Sequence, residues 1–250
     1  MRAVVAVPLI AVPLLLLCTT ARPNSGPIQP VFRLSDFPTP LRIDNWFLPM
    51  KAGTRIVVHE LEDGECKVND VVVTDLVKHD FDGAYAGIAA RAVLDRVWSD
   101  PQCDGTRHLL LENTTDWYGQ DKHGNVWYFG EATKEFKDGG ADTAGSFEGG
   151  VNDALPGIIM PAHPQVGDQY RQEYAKGVAE DTGEVLDLSG SETTPLTGPA
   201  QGLLVTKDDN LLDPTSPSEK KYYARGIGLI LTVQTAGPPE RDQATAVETF

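Results

Sequence analysis

Glu148, Asp153 and Glu173 are the carboxylates nearest the longest aperiodic stretch of the chain, and a suitably spaced carboxylate pair is what acid–base hydrolysis requires. Arg171 and Glu173 would share one face of a strand, where an exposed ion pair is worth only about 0–1 kcal/mol. Ser146 has no base close to it in sequence, and no Gly-x-Ser-x-Gly elbow occurs, so no catalytic set is assigned. The turn Asp121-Lys-His-Gly-Asn125 is oxygen-rich like a calcium loop but breaks its pattern. His123 holds the third position, Val126 replaces the glycine, and Ala132 stands where a bidentate Glu belongs. His59, His79, His108, His123 and His163 are scattered without metal-ligand spacing. Neither a metal nor a cofactor is expected.

Large rings offer a different chemistry. Trp117, Tyr118, Trp127, Tyr128 and Phe129 fall within one short run, on either side of the polar Asp121–Asn125 turn. This predicts an antiparallel hairpin stabilised by aromatic cross-strand pairs. Rings then point to both faces. One set enters the core; the other either lines an apolar groove or lies beneath a second layer such as the leader or the long loop.

The start of the chain reads as an export signal. Arg2 precedes an apolar stretch, Ala3 to Leu17, that is shorter than the roughly 20 residues of a membrane span. Thr19-Thr20-Ala21 suits cleavage before Arg22; Cys18 offers lipidation instead, although Leu17 precedes it where a small residue is usual. Cys66 and Cys103 then remain as an even pair, expected to form a disulfide outside the cytoplasm. A net charge of −15 argues against nucleic acid as a partner. No transmembrane segment is expected in the mature chain, and its oligomeric state stays open.

Asp-Gly pairs at Asp63-Gly64, Asp82-Gly83, Asp104-Gly105 and Asp138-Gly139 punctuate β-like runs at Arg55–Glu60, Val68–Val77, Ile88–Trp98 and Leu109–Phe136. The Ile88–Trp98 run also has the alanines of a helix, but its flanking turns favour a strand. Further strands are expected at Asp168–Lys176, Gly183–Leu188, Gly202–Lys207 and Lys220–Val233, with a polar loop at Ser189–Pro199. The predicted fold is mainly β: a single curved antiparallel sheet or half-barrel of nine or ten strands, with a long irregular loop over Lys137–Gly167. The expected organisation is a signal peptide over 1–21, an irregular leader over 22–45, one β domain over 46–235 and a disordered tail over 236–250.

Asp116–Glu131, Pro156–Pro164, Val166–Tyr174 and Tyr222–Leu229 together resemble a family of uncharacterised exported bacterial proteins. The closing motif and strand rhythm are similar to lipoprotein-carrier-like periplasmic half-barrels. That resemblance implies a sheet wrapped around a groove for apolar ligands or acyl chains, although a fold alone fixes no function. The resulting expectation is a non-enzymatic exported protein that binds an apolar or amphipathic small molecule. Trp117, Tyr118, Trp127, Tyr128, Phe129 and Arg171 form the ligand-binding set, with Lys137–Gly167 as a flap. The alternatives are a cell-envelope interaction module whose sheet is filled by its own side chains, and a carboxylate-dependent hydrolase.

Overall fold

The computed structural model describes residues 26–62, 64–137, 140–237 and 240–250. The expected signal segment with Cys18, and residues 22–25, lie outside them, as do Asp63 and Asp138-Gly139 of two Asp-Gly turns. Of the described residues 56% are strand and 3% helix, and they form one antiparallel sheet nearly closed into a barrel with a seam. Its strands are β1 (Thr54–Glu62), β2 (Glu65–Lys78), β3 (Ala90–Ser99), β4 (Leu110–Gln120), β5 (Val126–Ala132), β6 (Glu135–Lys137), β7 (Gly140–Asp142) and β8 (Phe147–Glu148). They continue with β9 (Leu155–Met160), β10 (Gln169–Arg171), β11 (Glu173–Tyr174), β12 (Asp181–Thr194), β13 (Gly198–Asn210), β14 (Glu219–Ala224), β15 (Gly228–Gln234) and β16 (Arg241–Thr249).

The main path runs β10-β12-β13-β14-β15-β16-β1-β2-β3-β4-β5-β9-β11. Its two ends, β10 and β11, are neighbours in sequence, so the seam falls at Gln172. The Gln172 amide donates to the carbonyl of Asp181 at 2.9 Å, beside that seam. Ile28 of the leader pairs in parallel with Tyr170 of β10, and the Gln29 side chain donates to the Pro156 carbonyl of β9 at 3.1 Å. The leader thus covers backbone groups that an open edge would leave unpaired.

β3 is a strand, not a helix, because β2 and β4 take its backbone groups from both sides. Lys137–Gly167 is less irregular than expected: it supplies β7, β8 and β9. β12 runs on to Thr194, into the segment read as a polar loop, bending at register shifts around Asp187 and Gly190. The tail is corrected outright. Arg241–Thr249 is a strand paired with β1 and β15. Its polar side chains conceal it, since Ala244 is its one deeply buried residue and neighbours on both flanks supply the hydrogen bonds.

Val126, Met160, Tyr170, Val185, Leu204 and Tyr223 point into the barrel and pack with Ile43 and Phe47, which plug one end. Cys66 and Cys103 form the expected disulfide, across a separation of 37 residues. Such a loop closure stabilises by about 4 kcal/mol in the chain-entropy account.

Candidate functional site

The predicted aromatic set is divided by the sheet rather than gathered. Trp127 and Phe129 face outward and are 4% and 0% exposed. Phe32 and Phe37 of the leader cover them, with Phe32 lying 6.0 Å from Trp127 and 6.2 Å from Phe129 by ring centroids. Phe81 and Tyr85 complete the layer, and Trp117 lies at its edge, in edge-to-face contact with Phe81. Tyr118 and Tyr128 face inward and stack at 5.0 Å. Over Trp127 and Phe129 the second layer is present, whereas Trp117 and Glu131 border a cleft of about 350 Å³ beside Phe147 and Glu148. Arg171 stands elsewhere, its guanidinium 4.8 Å over the Tyr174 ring and 3.9 Å from Glu180.

The three carboxylates near the long loop have different settings. Glu148 pairs with Lys78 at 3.3 Å, Asp153 sits in an exposed turn with φ 61°, and Glu173 is buried against Asp181. Ser146 is spent on structure, its Oγ accepting from the Thr133 amide at 3.0 Å. Asp121 caps its own hairpin turn, and no metal-binding group of three or more His, Cys, Asp or Glu is present among the described residues.

Inside the barrel lies an unanticipated acidic belt. Opposed residues of a ladder share a face, so Val93 pairs with Asp116 and Asp95 with Thr114 on the inner surface. Burial pushes Asp95 and Glu131 up to about 7, and holds Asp116 well above the carboxylate range, with Asp95 adding repulsion. The Tyr128 hydroxyl is 2.6 Å from Asp116 and 3.0 Å from Glu131. It has one hydrogen to give, so two such contacts need a second proton, held by a carboxylic acid. Glu60 and Asp242 are likewise pushed up to about 7 by burial. Lys221 donates to Asp208 at 2.9 Å; burial opposes its charge, but Asp208 and Glu219 hold its pKa well above the usual value.

The other distinctive site is at the plugged end. Asp44–Pro49 is a tight loop closed by the bridge Asp44–Pro49 and by the Met50 amide donating to Ile43 at 3.0 Å. Asn45 builds it. Its Oδ1 accepts from the Phe47 and Leu48 amides at 2.9 and 3.2 Å, and its Nδ2 donates to the Gly124 and Pro161 carbonyls at 2.9 and 3.2 Å. Gln120 Oε1 accepts from both the Asp44 and Asn45 amides at 2.9 Å. Ile43 and Phe47 therefore point into the barrel while Trp46, between them, is thrust outward and left 69% exposed.

Arg225, in the β14–β15 turn, lies 5.2 Å over the Trp46 ring and 4.7 Å over the Phe47 ring. Beside them opens a cleft of about 680 Å³ with an apolar floor of Leu41, Ile43, Trp46 and Met50. A second cleft of about 530 Å³ adjoins Trp46 and Arg225 and is walled by Ala162–Gln165, the end of the segment read as a flap. Trp46 stands in a Pro-rich stretch without period, and its only signal in sequence is the Asn45 turn former just before it.

No family model matches the chain, and no curated protein does. Among solved structures, a candidate exported protein of YmcC-like fold from Bacteroides fragilis overlaps 82% of this chain and 100% of its own, at 14% identity and a TM-score of 0.44. That overlap is a loose likeness of shape. No helix among the described residues is long and apolar enough to cross a membrane, which says nothing about strands.

Proposed function

We propose that this chain is a non-enzymatic exported protein that binds a small molecule with an apolar body against Trp46, at the plugged end of the barrel. One observation carries the reading. A large ring 69% exposed, held on a loop fixed by Asn45 and Gln120, borders a cleft of about 680 Å³ with an apolar floor. Exposed tryptophan leaves apolar surface in water, and a prepositioned ring binds with little loss of conformational entropy. Export is part of the same reading and is supported by the Cys66–Cys103 bridge, which persists in oxidising compartments. Cleavage before Arg22 or acylation at Cys18 would release or anchor the barrel. The aromatic hairpin then serves as scaffold.

A fluorescent fatty-acid probe tests the assignment. Trp46→Ala is expected to weaken probe binding roughly tenfold or more, since about 1.4 kcal/mol corresponds to each factor of ten. Trp117→Ala, in the outer aromatic layer, should leave affinity unchanged. Undiminished binding in Trp46→Ala would sink the reading, and a loss confined to Trp117→Ala would return the site to the hairpin.

A further inference from the structure

We infer that the cleft beside Trp46 selects an amphipathic anion, its oxyanion head held by Arg91, Arg225 and Lys51 and its hydrocarbon body laid on Leu41, Trp46 and Met50. This rests on the binding role proposed above and adds the chemical class of the ligand.

Four cations and one carboxylate line this cleft, in a chain whose net charge is −15. Arg42 is already neutralised by Asp44 at 2.6 Å. The other three have no carboxylate within ion-pair distance among the described residues. The Arg225 guanidinium carbon lies over the Trp46 and Phe47 rings, 5.2 and 4.7 Å from their centroids. A ring contact leaves an arginine its fork of N–H donors, which grips carboxylate or phosphate. Arg91 spends one donor on the Thr74 carbonyl at 3.2 Å, while its Nε is buried with no partner. A buried donor left unmatched is costly, and an incoming oxyanion would satisfy it. In so acidic a protein the cheap use of an arginine is an ion pair. Three cations kept out of pairs around one apolar cleft point to a negative charge that arrives from outside.

The test uses three amphiphiles with the same ten-carbon chain: decanoate, decanol and decyltrimethylammonium. Each competes below micelle-forming concentration with the fluorescent probe on the intact protein. Decanoate is expected to bind roughly tenfold or more tightly than the other two, the scale of one charge-assisted hydrogen bond. Lys51→Gln, at an exposed position away from the Trp46 ring contact, should weaken that preference and leave decanol unchanged, and Arg225→Gln should lower decanoate binding more than decanol binding. If all three bind alike, or the cation binds best, the inference falls while the binding role stands. If none competes with the probe, both fall. Capture by anionic phospholipid vesicles with no effect of free decanoate would also overturn it, moving the charge to a membrane surface.

Discussion

Both carboxylate oxygens of Asp121 are taken by donors of its own hairpin. Oδ1 accepts from the His123 and Asn125 amides at 2.9 and 3.0 Å, and Oδ2 accepts from Asn125 Nδ2 at 2.8 Å and Trp127 Nε1 at 2.9 Å. The side chain is only 5% exposed, so removing it strands buried donors in a dry setting. Asp121→Ala is accordingly expected to cost about 2–4 kcal/mol, read from denaturant midpoints, with His123→Ala within about 0.5 kcal/mol of wild type. Equal effects in the two variants would mean that the turn is held by its backbone alone. In sequence, Asp121 and a calcium ligand look alike; only the spacing of the next oxygens departs from the calcium pattern. What spacing could not show is that Trp127 comes back to the same carboxylate.

At the scale of elements, the leader does the work of an outer layer. Phe32 sits 4.6 Å from Tyr85 and 5.3 Å from Phe37, and Phe37 reaches Trp127 and Phe129 at 5.7 and 5.5 Å. The Lys122 ammonium pairs with Asp36 at 2.9 Å, tying the same segment to the hairpin turn. Phe32→Ala is expected to lower stability by about 2 kcal/mol, since the ring is half-buried and makes several aromatic pairs. It should also raise the accessibility of tryptophan to a neutral quencher. Unchanged stability and quenching would show that the leader merely rests on the sheet. Strands with alternating apolar residues, such as β2 and β3, were legible because burial on one face writes a period of two into the sequence. β16 was not, and the leader's covering role was only one of the two arrangements left open. Phe32 and Phe37 lie among prolines with no period, and their partners are far off in the chain. In β16 a strand held on both sides needs little apolar content, so Arg241–Thr249 reads as solvent-exposed chain. The Trp46 cleft was hidden for the same reason, being assembled from the leader's end, β3 and the β14–β15 turn.

At the scale of the whole molecule, the barrel is polarised: apolar side chains fill the end closed by Ile43 and Phe47, and carboxyls line much of the remaining interior. A closed sheet forces this outcome. Every inward position must be filled, and an interior acid surrounded by other acids stays neutral more readily than it finds a cation. Glu60, Asp95, Glu131 and Asp242 are each pushed up to about 7, in every case chiefly by burial. The unfolded chain releases these protons near pH 4 while the folded chain keeps them to about pH 7. Between those limits the folded state binds more protons, so stability rises as pH falls and is lost as pH climbs through 7. The melting temperature should therefore be higher at pH 5.5 than at pH 8. Surface groups such as Asp36 and Asp213, held below their usual values by hydrogen bonds from Lys122 and Thr215, oppose this only in more acidic solution. Asp95→Asn, which keeps the shape of the neutral acid, should flatten the profile between pH 5.5 and 8, and a scan of melting temperature against pH in both proteins distinguishes the cases. A wild-type profile that is level or climbs toward pH 8 would mean that these interior carboxyls are solvated or paired, and that the barrel's inner surface is wet and charged.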